Sequence, residues 1–221
     1  MVKTNNSKIN NIKHVAFDLD GTLINSGSTI YKATSKALNA LNIKTVIKEK
    51  EFNRMIGAHF INIFNELKIV VNDFEQFIDI YKGFYFEFID DSKFYPGIVE
   101  ILQYLQQKKI YISLLTTKGQ DQTEKIIKHF NLDNYFNFLM GRRNGIENKP
   151  SAEPLLYICR EINTKPEETL MVGDTELDIM CGKNANASTC AVTYGYRTKE
   201  KLEAQRPDYI ISDLLELKEI I

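Results

Sequence analysis

The 221-residue chain predicts an α/β fold, a parallel sheet wrapped by helices and carrying one helical insert. Three observations lead there. Short β-type runs alternate with helical patterns along most of the chain, which argues for parallel strands joined by helical crossovers. Two of those runs, 110–115 and 169–173, are apolar almost without interruption, as strands covered on both faces require. Only once, between Gly21 and Pro96, does the alternation give way to a long helical stretch.

The first strand is predicted at 15–18, where an apolar run delivers Asp18 and Asp20 to its end and Gly21 turns the chain. Alternation along a strand would send both carboxylates to one side. Like charges held that close repel unless a cation or a shared proton compensates them, and Mg²⁺ suits two oxygen ligands. Helical segments follow at 29–41, 49–55, 58–67 and 72–89, with no strand expected among them. Phe74, Phe77, Ile78, Tyr81, Phe84, Tyr85 and Phe88 recur at helical spacing, the pattern of an insert with its own packing core. Tyr95-Pro96-Gly97 marks re-entry, followed by an amphipathic helix through Leu105. Further strands are expected at 111–116, 136–140, 170–173, 189–193 and 209–211. In open parallel sheets ligands sit beyond the carboxyl ends of the strands. Asp18 and Asp20, Thr116 and Thr117, and Asp174 all fall there, so three strand ends converge on one crevice.

Bulk properties narrow the partners. The 28 basic and 29 acidic residues nearly balance and form no long basic run, which argues against nucleic acid or an anionic membrane and for a small soluble partner. Residues 1–11 are polar and Asn-rich without the apolar stretch of a signal peptide, and no segment reaches the roughly 18 apolar residues of a membrane span. The expected location is the cytoplasm. Cys159, Cys181 and Cys190 show no metal-binding spacing and suit free thiols in a reducing compartment.

Four constellations occur in order: Asp18-Leu19-Asp20-Gly21-Thr22, Thr116 at a strand end, Lys149-Pro150, and Gly173-Asp174-Thr175-Glu176-Leu177-Asp178. With them the chain resembles, over essentially its whole length, the haloacid dehalogenase-like superfamily of aspartate-nucleophile phosphatases. Asp18 and Thr116 are 98 residues apart, Thr116 and Lys149 only 33, and Lys149 and Asp174 only 25, which leaves room for a cap once. The resemblance implies a Rossmann-like core formed by residues 1–22 and 95–221, with a C1-type helical cap at 23–94.

It also implies roles. Asp18 would attack phosphorus, splitting hydrolysis of a phosphate monoester into two steps through an aspartyl-phosphate. Asp20 would protonate the leaving oxygen and later take a proton from water. Thr116 and Thr117 would bind phosphate oxygens, and Lys149 would oppose the charge of the transferring group. Mg²⁺ would be held by Asp18, Asp174 and Asp20, the last through its backbone carbonyl. Asp178 would orient a metal-bound water, hold Lys149, or simply lend charge to a helix amino terminus. Arg54 and His59 flank Gly57 in the cap, and Arg142 and Arg143 follow a strand; all four are candidates for contact with the rest of the substrate.

An acidic residue at position 20 favours phosphate-ester chemistry, since halide release leaves no alkoxide to protonate. Phe94-Tyr95-Pro96-Gly97, Lys149-Pro150 with Pro154-Leu155-Leu156, and Thr193-Tyr194-Gly195-Tyr196 with Pro207-Asp208-Tyr209-Ile210-Ile211 look like the phosphoglycolate phosphatases. Two departures bear on the substrate. That group commonly shows Thr-Asn-Lys where this chain has Thr116-Thr117-Lys118, and Gly141-Arg142-Arg143-Asn144 replaces a more acidic segment. A sugar-phosphate or nucleotide monophosphatase, a pyrophosphatase, a phosphosugar mutase and a non-catalytic binding protein are the rival readings. The expected partner is a small phosphorylated metabolite, and the expected assembly a monomer or homodimer.

Overall fold

A computed structural model describes residues 11–221, so most of the polar opening stretch lies outside the described residues. The elements run β1 (His14–Phe17), β2 (Ile24–Asn25), α1 (Gly27–Ala40), α2 (Glu49–Asn53), α3 (Phe60–Glu66), α4 (Phe74–Glu87), β3 (Lys93–Phe94), α5 (Ile98–Gln107), β4 (Tyr111–Gly119) and α6 (Gln120–His129). They continue with β5 (Phe138–Arg142), α7 (Glu153–Glu161), β6 (Thr169–Gly173), α8 (Glu176–Asn184), β7 (Ser188–Val192), α9 (Lys199–Ala204), β8 (Tyr209–Ile211) and α10 (Leu217–Ile220).

Six strands form a parallel sheet in the order β5-β4-β1-β6-β7-β8. The chain leaves β1 toward β4 and β5, then returns on the other side through β6, so the order reverses beside β1. That reversal opens the crevice in which such sheets bind ligands. Register fixes what meets there: Phe17, the last residue of β1, lies level with Leu114 of β4 and Val172 of β6. The residues just beyond these three therefore share one edge. Val15, Phe17, Ile112, Leu114, Leu170 and Val172 on one face and Ala16, Ser113 and Met171 on the other are all buried, the burial on both faces that the apolar runs foretold. His14 is buried at the opposite end of β1, hydrogen-bonded to Ser113 Oγ at 2.7 Å and Thr169 Oγ1 at 3.1 Å, with burial lowering its pKa to about 3. It is a neutral sheet residue, remote from the crevice.

Helices α1 to α4 make up the insert. Phe60, Phe64, Phe77 and Tyr81 pack edge-on with ring centroids 4.7–5.2 Å apart, so the aromatic periodicity of α4 serves an internal core. Asp73 caps α4 by accepting from the Gln76 backbone N–H at 2.9 Å.

Three differences from the sequence reading have physical causes. The stretch expected to hold no strand contains β2 and β3, a two-residue antiparallel ribbon that closes the base of the insert through Ile24 with Phe94 and Asn25 with Lys93. Two residues carry no period to detect. β4 runs three residues past Thr116, with an irregular register between Leu115 and Gly119 that carries Thr117 and Lys118 toward the cap. β1 stops at Phe17, so Asp18 and Asp20 lie beyond it and strand alternation does not govern where they point. The three cysteines are buried free thiols, and burial pushes Cys181 up to about 12. No described helix is long and apolar enough to cross a membrane.

Candidate active site

The Asp18 backbone N–H still donates to Val172 O at 2.9 Å, which anchors the first residue past β1 against β6. Its carboxylate accepts from Lys149 Nζ at 2.6 Å. The same ammonium donates to Leu115 O at 2.9 Å and Asp178 Oδ1 at 2.5 Å, so its three protons all have acceptors. Asp178 in turn accepts from the Thr175 backbone N–H at 3.0 Å and hydroxyl at 2.7 Å, in a capping box that opens α8. Asp174 accepts from Thr22 Oγ1 at 3.3 Å and the Tyr196 N–H at 2.7 Å. Gly21, at φ +88°, is required here: a Cβ would lie 2.3 Å from the Asp174 carboxylate.

Carboxylate oxygens of Asp18, Asp174 and Asp178 lie within 4.8 Å of one another, and all three residues are buried. One lysine faces three acids. Burial, with Asp178 and Asp20 adding to it against Lys149, raises Asp18 to about 7. Burial and the charges of Asp18 and Asp178 hold Asp174 well above the usual carboxylate range. Burial opposes the charge of Lys149, but Asp178 and Asp18 outweigh it and hold its pKa above the ordinary lysine value. The cluster therefore lacks positive charge, and its donors are all oxygens, which fits Mg²⁺. Asp178 has both oxygens engaged by Lys149 and Thr175, so Asp18 and Asp174 are the side chains best placed to hold the ion. The Asp20 carboxylate stands outside this cluster, leaving its backbone carbonyl as the group expected to serve.

Asp20 instead faces the cap. Its carboxylate accepts from Ser26 Oγ and from Lys118 Nζ, the latter at 2.7 Å, and the Lys118 ammonium also lies 4.8 Å from the Tyr85 ring centre. A cleft of about 70 Å³ between cap and core begins here, lined by Asp20, His59, Tyr81, Thr117, Lys118 and Arg142 among others. Thr116 is buried beside Asp18's strand, its Oγ1 accepting from the Lys118 N–H at 3.3 Å. Thr117 donates to the cap carbonyl Gly57 O at 3.2 Å, so it ties cap to core in this state. Arg142 donates to His59 Nε2 across the seam.

Two expected substrate contacts do not line this cleft, although Arg143 shares a smaller pocket with Arg142, Thr116 and Lys149. Arg143 donates to Leu139 O at 2.9 Å and Gln120 Oε1 at 3.1 Å and stacks on Phe138, which fixes it to the end of its own strand. Arg54 is exposed and lines surface grooves outside the cleft. Its contribution is a backbone carbonyl, which accepts from Arg197 at 2.6 Å. Arg197 also donates to Ile56 O at 2.9 Å and to Glu176 Oε2 at 2.8 Å, joining the cap loop to the start of α8. Sequence reasoning singled out neither Arg197 nor Ser26 nor the role of Lys118. A usable signal existed only for Lys118, two residues past the strand-end Thr116.

Comparison with known proteins agrees with this geometry. The family profile described as haloacid dehalogenase-like hydrolase matches residues 15–192. The chain is 33% identical over 211 residues to the pyrophosphatase PpaX of Bacillus mycoides, covering 95% of this chain and 97% of the relative. It is 32% identical over 208 residues to the phosphoglycolate phosphatase of Aquifex aeolicus, covering 92% and 95%. A crystal structure of a hydrolase from Pseudomonas syringae superposes with a TM-score of 0.80 at 25% identity, covering 94% of this chain and 96% of that one.

Proposed function

The chain belongs to the haloacid dehalogenase-like hydrolase family and is a phosphatase of it, and from that premise we propose that it hydrolyses a small phosphate monoester, 2-phosphoglycolate foremost, with Mg²⁺. The observation that carries the reading is the division of labour between two carboxylates. Asp18 is buried against Lys149 and the acidic cluster, while Asp20 lines a cleft of about 70 Å³.

Asp18 attacks phosphorus as the P–O bond to the leaving group breaks, forming an aspartyl-phosphate. Asp20 gives its proton to the departing oxygen, then takes one from the water that attacks the intermediate and returns the phosphate. Lys149, fixed by Leu115 O and Asp178, opposes charge on the transferring group without reorganising. The Thr116 hydroxyl donates to a phosphate oxygen. Asp18 and Asp174 would hold Mg²⁺, which would supply the positive charge that keeps the Asp18 carboxylate ionised near neutral pH.

The small cleft supports a leaving group of a few heavy atoms over a nucleoside. Pyrophosphate is the second reading, favoured by the PpaX relative and by the basic residues Lys118 and Arg142 in the cleft. Phosphate release from 2-phosphoglycolate, pyrophosphate, sugar phosphates, nucleoside monophosphates and an aryl phosphate, with Mg²⁺ and with EDTA, tests both. Metal-dependent turnover biased to 2-phosphoglycolate is expected; bias to pyrophosphate selects the second reading, and no release from any substrate overturns both.

A further inference from the structure

Arg142, at the end of β5, and His59, at the start of the cap helix α3, meet across the cleft with Arg142 donating to His59 Nε2. The other ring nitrogen, Nδ1, caps α3 by accepting from the Ile61 N–H at 3.3 Å. Both contacts ask the imidazole to accept. A neutral imidazole has one acceptor nitrogen and one N–H, so one contact must set a donor against a donor. Protonating the ring makes this worse, since it would then place a second cation beside the guanidinium. Burial first, and then the Arg142 charge, lowers the His59 pKa, in keeping with that conflict.

Nothing nearby resolves it. Lys118 is paired with Asp20, and Lys82, which also lines the cleft, is paired with Asp121 at 3.0 Å. Arg142 has no carboxylate within ion-pairing distance among the described residues. The cleft thus contains a half-buried guanidinium whose hydrogen-bonding partner is an imidazole that already serves the helix. An anion between the two side chains would satisfy both at once. It would accept from the Arg142 fork and from His59 as an Nε2–H donor, while Nδ1 goes on capping α3.

We propose that Arg142 and His59 form a subsite for a second anionic group, a carboxylate or phosphate carried by the leaving portion of the substrate. This rests on the phosphatase reading above and deepens it: one arm comes from the core and one from the cap, so binding a doubly anionic substrate also draws the two together. Arg143, its neighbour in sequence, takes no part because Leu139, Gln120 and Phe138 hold it.

The test measures binding, so that it does not depend on turnover. In an Asp18→Asn background, calorimetry with Mg²⁺ compares 2-phosphoglycolate, pyrophosphate and ethyl phosphate. Adding Arg142→Ala is expected to weaken at least one of the two doubly anionic ligands about tenfold or more, while ethyl phosphate changes by less than about threefold. Arg142→Lys should recover part of the loss, and His59→Gln should give a smaller loss of the same selectivity. Which ligand suffers more tells carboxylate from phosphate. Equal weakening of all three ligands, or no weakening of any, overturns the subsite. Failure of the phosphatase reading shows separately, as absence of phosphate release by the unmutated chain.

Discussion

The floor of the site and the seam above it are built differently. On the floor, Asp18, Asp174, Asp178 and Lys149 are each less than a tenth exposed, and Lys149 alone has three acceptors within 2.9 Å. At the seam, Thr117 with Gly57, Arg142 with His59, and Arg197 with Arg54 and Ile56 are separate contacts between cap and core, not an interlocked network. The floor holds charges in fixed positions around one point, which is what transition-state stabilisation needs. The polar contacts of the seam are separate from one another, as a joint that opens for substrate entry requires. Damage to the floor should therefore appear in turnover, and damage to the seam in affinity.

The largest effect expected is from Asp18→Asn, which keeps the shape of the floor and removes its proposed nucleophile. Turnover should fall at least about a thousandfold while the melting temperature holds, as phosphate release and circular dichroism would record. Unchanged activity would break the comparison at its base. Lys149→Met should lower kcat about a hundredfold or more, and destabilise the cation-free protein by about 3 kcal/mol at pH 8 because it strands buried carboxylates. Denaturant unfolding at pH 5, where Asp18 holds a proton, should show a smaller loss.

Arg197→Ala probes the seam. It removes the donors to Arg54 O and Ile56 O and unpairs Glu176, whose pKa is held below the usual value by Arg197 despite partial burial. KM should rise about fivefold with kcat changed less, at a stability cost of about 1–2 kcal/mol. A fall in kcat with KM unchanged would place Arg197 with the floor instead.

The smallest effect is the response of stability to Mg²⁺. With Asp18 raised to about 7, the folded cation-free chain binds a proton that the unfolded chain releases near pH 4. Its contribution therefore favours folding below about pH 4 and is lost as pH rises toward 7. A cation on the ionised cluster reverses that loss. Mg²⁺ should raise the melting temperature by a few degrees at pH 8 and by little at pH 5 in scanning calorimetry. An equal rise at both would place the ion elsewhere.

The same division explains what the sequence could tell. Asp18, Thr116 and Asp174 each lie at or just past the end of an apolar run, and Lys149 stands beside a proline in a motif of fixed order, so local pattern leads to most of the floor. Asp178 was legible as a first-turn helix residue, though its grip on Lys149 was one of three open roles. The seam is made of pairs far apart in the chain: Thr117 with Gly57, Arg142 with His59, Arg197 with Arg54. No local period encodes them. That is why Arg54 and Arg143 were indistinguishable from Arg142 as candidates, and why Arg197 was missed. The ribbon of β2 and β3 escaped for a related reason, since each strand gains its pairing only when residues 24–25 meet residues 93–94.

The most direct test of the central claim is to quench the protein with acid during turnover of 2-phosphoglycolate, reduce it with borohydride and sequence the peptides by mass spectrometry. An aspartyl-phosphate on Asp18 predicts homoserine at position 18 and nowhere else. Homoserine at Asp20 or Asp174, with position 18 intact, would contradict the assignment of the nucleophile and with it the division between floor and seam.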